Sequence, residues 1–219
     1  MMENAQPHQQ SLHSLVRTQL VVTIAAVYTS SQVISPLLCF LAENPQYITE
    51  LRKEVTECTN DTEDIDSSKL YKMDACLPEA LRLNPPQTSE LLKDGVVVPK
   101  GALVASPATA LCMDPAIHPD PYLFSPFRED NARMPVTTLT RNKLAFGWGT
   151  QACPERFFAA KEIKLIAARI LMDYDIEINP EAQSMRRYYD VEDLRVLNPG
   201  IRLQMRRRAQ NPLQREDKA

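Results

Sequence analysis

The sequence predicts a mainly α-helical fold that carries small β-sheets. Residues 14–35, 47–58, 70–83 and 157–173 place apolar side chains at helical spacing. The runs that read as strands are short and bounded by Gly, Pro or Asn. Seventeen prolines against five glycines suit stiff, extended connections between helices rather than tight hairpins.

Composition narrows the class. A chain of 219 residues is long enough for one sizeable core or two small ones. Its 44% hydrophobic and 24% charged content is that of an ordinary globular protein. A net charge of −3 implies no general affinity for nucleic acid or anionic membrane. The five cysteines show no Cys-x-x-Cys pairing and suit a reducing compartment, so a cytoplasmic location is expected for the chain as it stands.

Taken in order, residues 1–13 are expected to be a disordered tail and 14–219 one domain. Residues 1–10 are polar, with no apolar run behind a basic start, so no signal peptide is read there. Residues 14–35 predict a long apolar helix buried on more than one face, because no polar stripe is clean, and Pro36 is expected to end or kink it. The stretch 20–41 is apolar but interrupted by Thr23, Thr29, Ser30, Ser31, Gln32, Ser35 and Pro36, and reads as a core helix rather than a membrane span. A second helix is expected after Glu43-Asn44-Pro45, with the proline in its first turn and Ile48, Leu51 and Val55 on one face. The acidic, Ser/Thr-rich stretch 59–68 reads as a surface loop.

Residues 70–83 predict the next helix. It carries Glu79 and Arg82 at i,i+3, a spacing that ordinarily gives a weak surface ion pair, and Pro78 removes one of its backbone hydrogen bonds. A β-ribbon is expected at 94–101 and a short strand at 103–106. The stretch 113–121 alternates Pro with Asp and His and reads as a loop, which makes His118 a loop histidine rather than a ligand. Beyond the helix at 157–173, strands are expected at 175–178 and 201–206, and Arg206-Arg207-Arg208 reads as solvated surface.

The stretch 144–158 organises the rest. Gly147 and Gly149 flank the single tryptophan and Cys153 follows, just ahead of a helix. Two of so few glycines within three residues mark a backbone that bends or is closely approached. A cysteine at a helix start meets free N–H groups and the positive end of the helix dipole, which favour a thiolate: a nucleophile, a redox thiol or a soft-metal ligand. A nucleophile needs a histidine base, and zinc needs further ligands, which Cys39, Cys58, Cys76 and Cys112 do not supply by spacing. A thiolate on haem iron needs no second protein ligand.

Phe146-Gly-Trp-Gly-Thr-Gln-Ala-Cys153 resembles the cysteine loop of the haem-thiolate monooxygenases, the cytochrome P-450 family, written Phe-x-x-Gly-x-x-x-Cys-x-Gly. Glu155 stands where that pattern has its last glycine; were positive φ needed there, a side chain would be strained. Ala25-Ala26-Val-Tyr28-Thr29 resembles the family's distal-helix motif, small-Gly-x-acid-Thr. Glu79-Ala-Leu-Arg82 resembles its Glu-x-x-Arg helix, and residues 121–128 its Pro-x-x-Phe-x-Pro-x-Arg segment ending at Arg128.

The resemblance implies the C-terminal half of the cytochrome P-450 fold and a haem cofactor held by Cys153 as axial ligand. By the same resemblance Thr29 assists proton delivery, and Phe146, Gly147, Gly149, Gln151 and Ala26 line the cofactor. Glu79, Arg82 and Arg128 would hold the cysteine loop against the core. The alternative for Thr29 is a hydroxyl that only bonds back to a helix carbonyl. The implied activity is oxidation of an apolar small molecule, a terpenoid or other secondary metabolite of fungal type, with O2 and electrons from an NADPH-dependent reductase. Family members are usually anchored in the endoplasmic reticulum membrane, so membrane association would follow only from an N-terminal anchor. Two rivals remain: a truncated, non-catalytic remnant of such an enzyme, and a small redox protein using Cys153 without haem.

Overall fold

The computed structural model describes residues 11–85, 108–140, 143–191 and 194–209. Helix α1, Leu12–Glu43, is capped by the Ser11 hydroxyl, which accepts from the Ser14 N–H at 3.2 Å. Helix α2, Pro45–Glu57, follows after one residue, with its proline in the first turn as the sequence predicts. Helix α3, Tyr71–Leu83, has no side-chain cap of its own. The buried Glu54 carboxylate of α2 supplies one, accepting from the N–H groups of Lys72 at 2.6 Å and Met73 at 3.0 Å.

Two short helices, α4 (Ala108–Cys112) and α5 (Glu129–Arg133), precede the long α6, Arg156–Asp173. The chain leaves α6 straight into strand β1, Tyr174–Ile178, which pairs antiparallel with β4, Leu203–Arg207. Between them β2, Tyr188–Val191, pairs antiparallel with β3, Leu194–Leu197. The fold is therefore mainly helical with small antiparallel sheets. Turns without regular structure fill 113–121, as expected for that stretch. The ribbon expected at 94–101 and the strand at 103–106 lie outside the described residues.

One core joins α1, α2, α3 and α6. Leu37 and Leu41 of α1, Leu51 and Val55 of α2, Met73 and Leu77 of α3, and Leu171 and Met172 of α6 are fully buried. Each such side chain contributes about 1.5–3 kcal/mol. Arg52 of α2 closes the α6 end of this core. Its guanidinium donates to the carbonyls of Leu171 (2.8 Å) and Tyr174 (2.9 Å) and to Asp175 Oδ1 (2.9 Å). The carbonyls orphaned at the end of α6 thus find a charged donor.

Three expectations for α1 are corrected. It begins at Leu12, inside the stretch expected to be a tail. It runs through Pro36 to Glu43 without ending. The proline removes the donor that would serve the Gln32 carbonyl, four residues back, and the Asn84 side-chain amide donates to that carbonyl instead at 3.2 Å. Nor is the helix buried along its length. Val33 to Leu41 packs into the core, but residues 16–29 are exposed throughout, with Leu20, Ile24 and Val27 each more than half exposed. Apolar composition on all sides reflects one half packed by α2, α3 and α6 and another half that those elements do not reach. By length and composition α1 could cross a membrane, but the burial of its C-terminal part is that of a core helix.

Candidate functional site at the cysteine loop

The helix α3 face turned toward 112–131 carries Glu79, only 1% exposed. Arg82 donates to both its oxygens, Nη2 to Oε1 at 2.7 Å and Nε to Oε2 at 3.1 Å. Arg128, from the segment after Pro126, donates its Nε to Oε1 at 3.1 Å. The Ser125 N–H (3.0 Å) and Asn131 Nδ2 (3.4 Å) add two more bonds. Burial alone would raise the Glu79 carboxyl; the Arg82 and Arg128 guanidiniums and the Ser125 N–H outweigh it and hold it below the ordinary carboxylate value.

The remaining donors of both arginines pin the 112–123 turns. Arg82 Nη1 reaches the carbonyls of Cys112 (2.8 Å) and Pro121 (2.6 Å), and Arg128 Nη2 that of Asp120 (3.0 Å). Phe124 fixes the same segment from the apolar side, stacking on Phe40 of α1 at 5.0 Å between ring centroids. The sequence pairing Glu79–Arg82 is thus no surface ion pair. Asp74, a turn earlier on α3, accepts from the Val136 N–H at 2.9 Å and pairs with Lys164 of α6 at 2.9 Å. The chain leading into the cysteine loop is tied to α3 and α6 together.

The loop itself is a tight bend. Gly147 N–H donates to the Leu144 carbonyl at 2.9 Å, and Cys153 N–H returns to the Phe146 carbonyl at 2.8 Å. Gly147 at φ +78° and Gly149 at φ +62° occupy the left-handed region that a side chain disfavours. A Cβ added at Gly149 would meet nothing within 4 Å, so that glycine serves the turn and leaves open space beside it. A short 3-10 turn, Gly149–Gln151, leads to Cys153. Cys153 is half-buried and free, and Phe146 is half-buried against the core. Glu155 stands at the N-cap position of α6 at φ −88°, an ordinary conformation, so its side chain carries none of the strain that a left-handed position would impose.

Arg156 is the residue that sequence reasoning missed here. Its Nη1 donates to the Cys153 carbonyl (2.9 Å), its Nε to the Thr137 carbonyl (3.2 Å), and its guanidinium lies 4.4 Å from the Phe157 ring centre. One arginine therefore fastens the cysteine's own peptide to the preceding segment. Its position three residues after the cysteine was the only available signal.

The distal-motif residues stand apart. Ala26 and Thr29 lie on the exposed half of α1, and the Thr29 hydroxyl donates to the Ala25 carbonyl at 2.6 Å. One residue on, the half-buried Ser30 hydroxyl donates to Glu162 Oε2 of α6 at 2.9 Å. That bond links the α1 turn to the helix that follows Cys153. A cavity of about 550 Å³ is walled by Pro78, Leu81, Met134, Val136, Leu144 and Phe146. Cys153 and α1 are not among its walls.

These residues suit a haem on the sulfur side. Among the described residues no group of three or more His, Cys, Asp or Glu side chains could hold a metal ion. A free, half-buried cysteine fits a metal that brings its other ligands with it. The donor groups of Arg82 and Arg128 are directed at Glu79 and at backbone carbonyls.

Comparison with known proteins agrees. The profile of the cytochrome P450 family matches residues 1–205. The cytochrome P450 monooxygenase olcJ of Penicillium canescens is 30% identical over 225 residues, covering 95% of this chain and 42% of that protein. The cytochrome P450 monooxygenase notH of an Aspergillus species is 35% identical over 211 residues, covering 87% of this chain and 41% of its own. Among solved structures, retinoic-acid-bound cyanobacterial CYP120A1 superposes with a TM-score of 0.67 at 25% identity, over 85% of this chain and 45% of that one. The cytochrome P450 CYP102L1 shares the fold, with a TM-score of 0.72 over 94% of this chain and 49% of its own. The chain thus spans less than half the length of the relatives it matches. On these grounds it belongs to the cytochrome P450 family, whose cofactor is a thiolate-ligated haem.

Proposed function

We propose that the chain forms the haem-thiolate portion of a cytochrome P450 monooxygenase that oxidises an apolar small molecule, a terpenoid or other secondary metabolite. Electrons would come from an NADPH-dependent reductase. The observation that carries this reading is the loop Phe146–Cys153: a free cysteine whose peptide is held by a backbone bond to Phe146 and by Arg156, in a bend with two left-handed glycines. The fungal relatives named as monooxygenases support the reaction class, and the retinoic acid bound to one structural relative supports an apolar substrate.

Haem bound to a thiolate supplies the electron-rich iron at which O2 is activated. The chain's own residues supply the setting. Cys153 would hold the iron through Sγ, and the Arg156 bond to its carbonyl keeps that peptide from turning. Phe146, Gly147 and Gly149 would line the cofactor, with Gln151 at the end of the short turn that leads to Cys153. Thr29 Oγ1, already donating to Ala25, keeps its lone pairs to accept a proton and pass it on. Glu79, Arg82 and Arg128 hold the approach to the loop rigid.

The test is haem reconstitution of the chain followed by the reduced, CO-bound spectrum. A thiolate-type Soret band is expected, and it should vanish in Cys153→Ser. A wild-type spectrum without that band overturns the reading.

One observation favours a second reading, a family chain that holds haem but does not turn over by itself. Ala25, Ala26 and Thr29 are exposed, so a substrate on that side would meet water rather than a closed, dry pocket. Stoichiometric haem uptake with no O2-dependent product is its signature.

A further inference from the structure

The α1 turn that carries Thr29 is held from two sides by side chains that no family motif quoted above includes. On one side Asn84, at the end of α3 and only 2% exposed, donates its amide to the Gln32 carbonyl at 3.2 Å. That carbonyl needs an outside donor because Pro36, fully buried four residues on, has no N–H. On the other side Glu162 of α6 accepts from the Ser30 hydroxyl at 2.9 Å. Both bonds fall where α1 passes from its exposed half to its buried half. Residues 29–32 are thus the last turn gripped before the helix runs free.

We infer that Asn84 and Glu162 are positioning residues for Thr29: they set where the α1 turn stands relative to the helix of Cys153. This rests on the haem-thiolate reading above. Glu162 lies six residues beyond the start of α6, about 9 Å along its axis. Cys153 sits three residues before that start, so one rigid helix links the sulfur's loop to the Ser30 bond. Asn84 links the same turn to α3, whose Glu79 network fixes the approach to the loop. Displacing the turn therefore changes where Thr29 stands relative to the cysteine loop without touching Cys153.

Proline makes the Asn84 role conditional, and that gives a sharp test. In the full chain, Asn84→Ala should speed amide exchange of residues 30–34 by about fivefold, the factor one net hydrogen bond supplies. Residues 77–83 should be unchanged. In a Pro36→Ala background, where the helix recovers its own donor, Asn84→Ala should change exchange by less than about twofold. Ser30→Ala, Glu162→Ala and the double variant should each raise exchange by the same factor, because all three remove one bond. Glu162→Gln keeps an acceptor oxygen and should stay near wild type.

The second readout is the dissociation constant of imidazole for the ferric, haem-loaded chain, followed at the Soret band. Asn84→Ala and Glu162→Ala should shift it by at least about threefold, the change expected for a moved distal turn, and Glu162→Gln should not. Faster exchange with unchanged imidazole binding makes both residues merely structural and overturns the inference. Unchanged exchange overturns the grip itself. If wild type takes up no haem, the monooxygenase reading fails and the positioning role fails with it, whereas the exchange arm still reports the grip separately.

Discussion

Replacing Glu79 by Gln tests the scaffold directly. The two carboxylate oxygens receive five donors: Arg82 Nε and Nη2, Arg128 Nε, the Ser125 N–H and Asn131 Nδ2. Glutamine turns one oxygen into an NH2 that faces donors only, and it removes the charge that two guanidiniums share. With Glu79 only 1% and Arg82 only 6% exposed, water cannot repair the loss. Breaking a buried pair by removing one partner costs about 3–5 kcal/mol. At about 2–4 °C per kcal/mol for a chain of this size, the melting temperature should fall by about 6–20 °C. Circular dichroism melts at neutral pH measure it; a fall under about 2 °C would refute the argument that all five donors need a charged acceptor. The pH dependence gives a second check. The folded Glu79 value lies below its ordinary value of 4.5, so its stabilisation is fully present above that ordinary value and is lost as pH falls through the depressed one. The gap in stability between wild type and Glu79→Gln should therefore hold from neutral pH down to the ordinary value and narrow below it.

Further expectations concern single sites. Gly147→Ala, at φ +78°, should lower stability by about 1–2 kcal/mol in urea titrations. Gly149→Ala should cost no more than that, because a Cβ there meets nothing within 4 Å. Glu54→Ala leaves the Lys72 and Met73 N–H groups uncapped and should cost about 1–2 kcal/mol, measured the same way. In native protein at mildly alkaline pH, Cys76, fully buried with its thiol pushed far up by burial, should resist iodoacetamide while half-buried Cys153 reacts. Added haem should protect Cys153, and mass spectrometry of the labelled peptides reports both.

The helices were legible because each buries an apolar face at 3.6-residue spacing, as Ile48, Leu51 and Val55 do on α2. The cysteine loop was legible because positive-φ turns demand glycine, and Gly147 and Gly149 both use that freedom. What sequence hid were bonds between distant elements. Glu79 and Arg82 sit at a spacing that reads as a surface pair, and only tertiary burial makes them otherwise. Pro36 reads as a helix stop until Asn84, far along the chain, is seen to serve the carbonyl it orphans. The β2–β3 hairpin passed unread, its few residues carrying Asp and Arg among the apolar positions. The burial of α1 was misjudged for a related reason: composition records how apolar a helix is, not which of its turns another element reaches.

That division of α1 has a dynamic consequence. Its exposed half, residues 16–29, gains little burial to offset the entropy of ordering the chain, and an isolated helix of this length is marginal in water. Its amides should open locally at little cost, even though they are formally in the same helix as Leu37 and Leu41, which are 0% exposed. The two grips on residues 29–32 should mark the boundary. Amide exchange in residues 16–27 should approach that of an unprotected peptide within about tenfold, whereas residues 37–41 should exchange only through global unfolding, slower by about 10³-fold or more for a protein stable by 5 kcal/mol. Uniform protection along the helix at micromolar concentration, persisting on tenfold dilution, would show that the apolar residues Leu20, Ile24 and Val27 are not free to open, and the two-part description of α1 would fail. Protection that disappears on dilution would instead locate a self-association that covers them, since a helix shielded only by a second molecule must lose its shield when that molecule leaves.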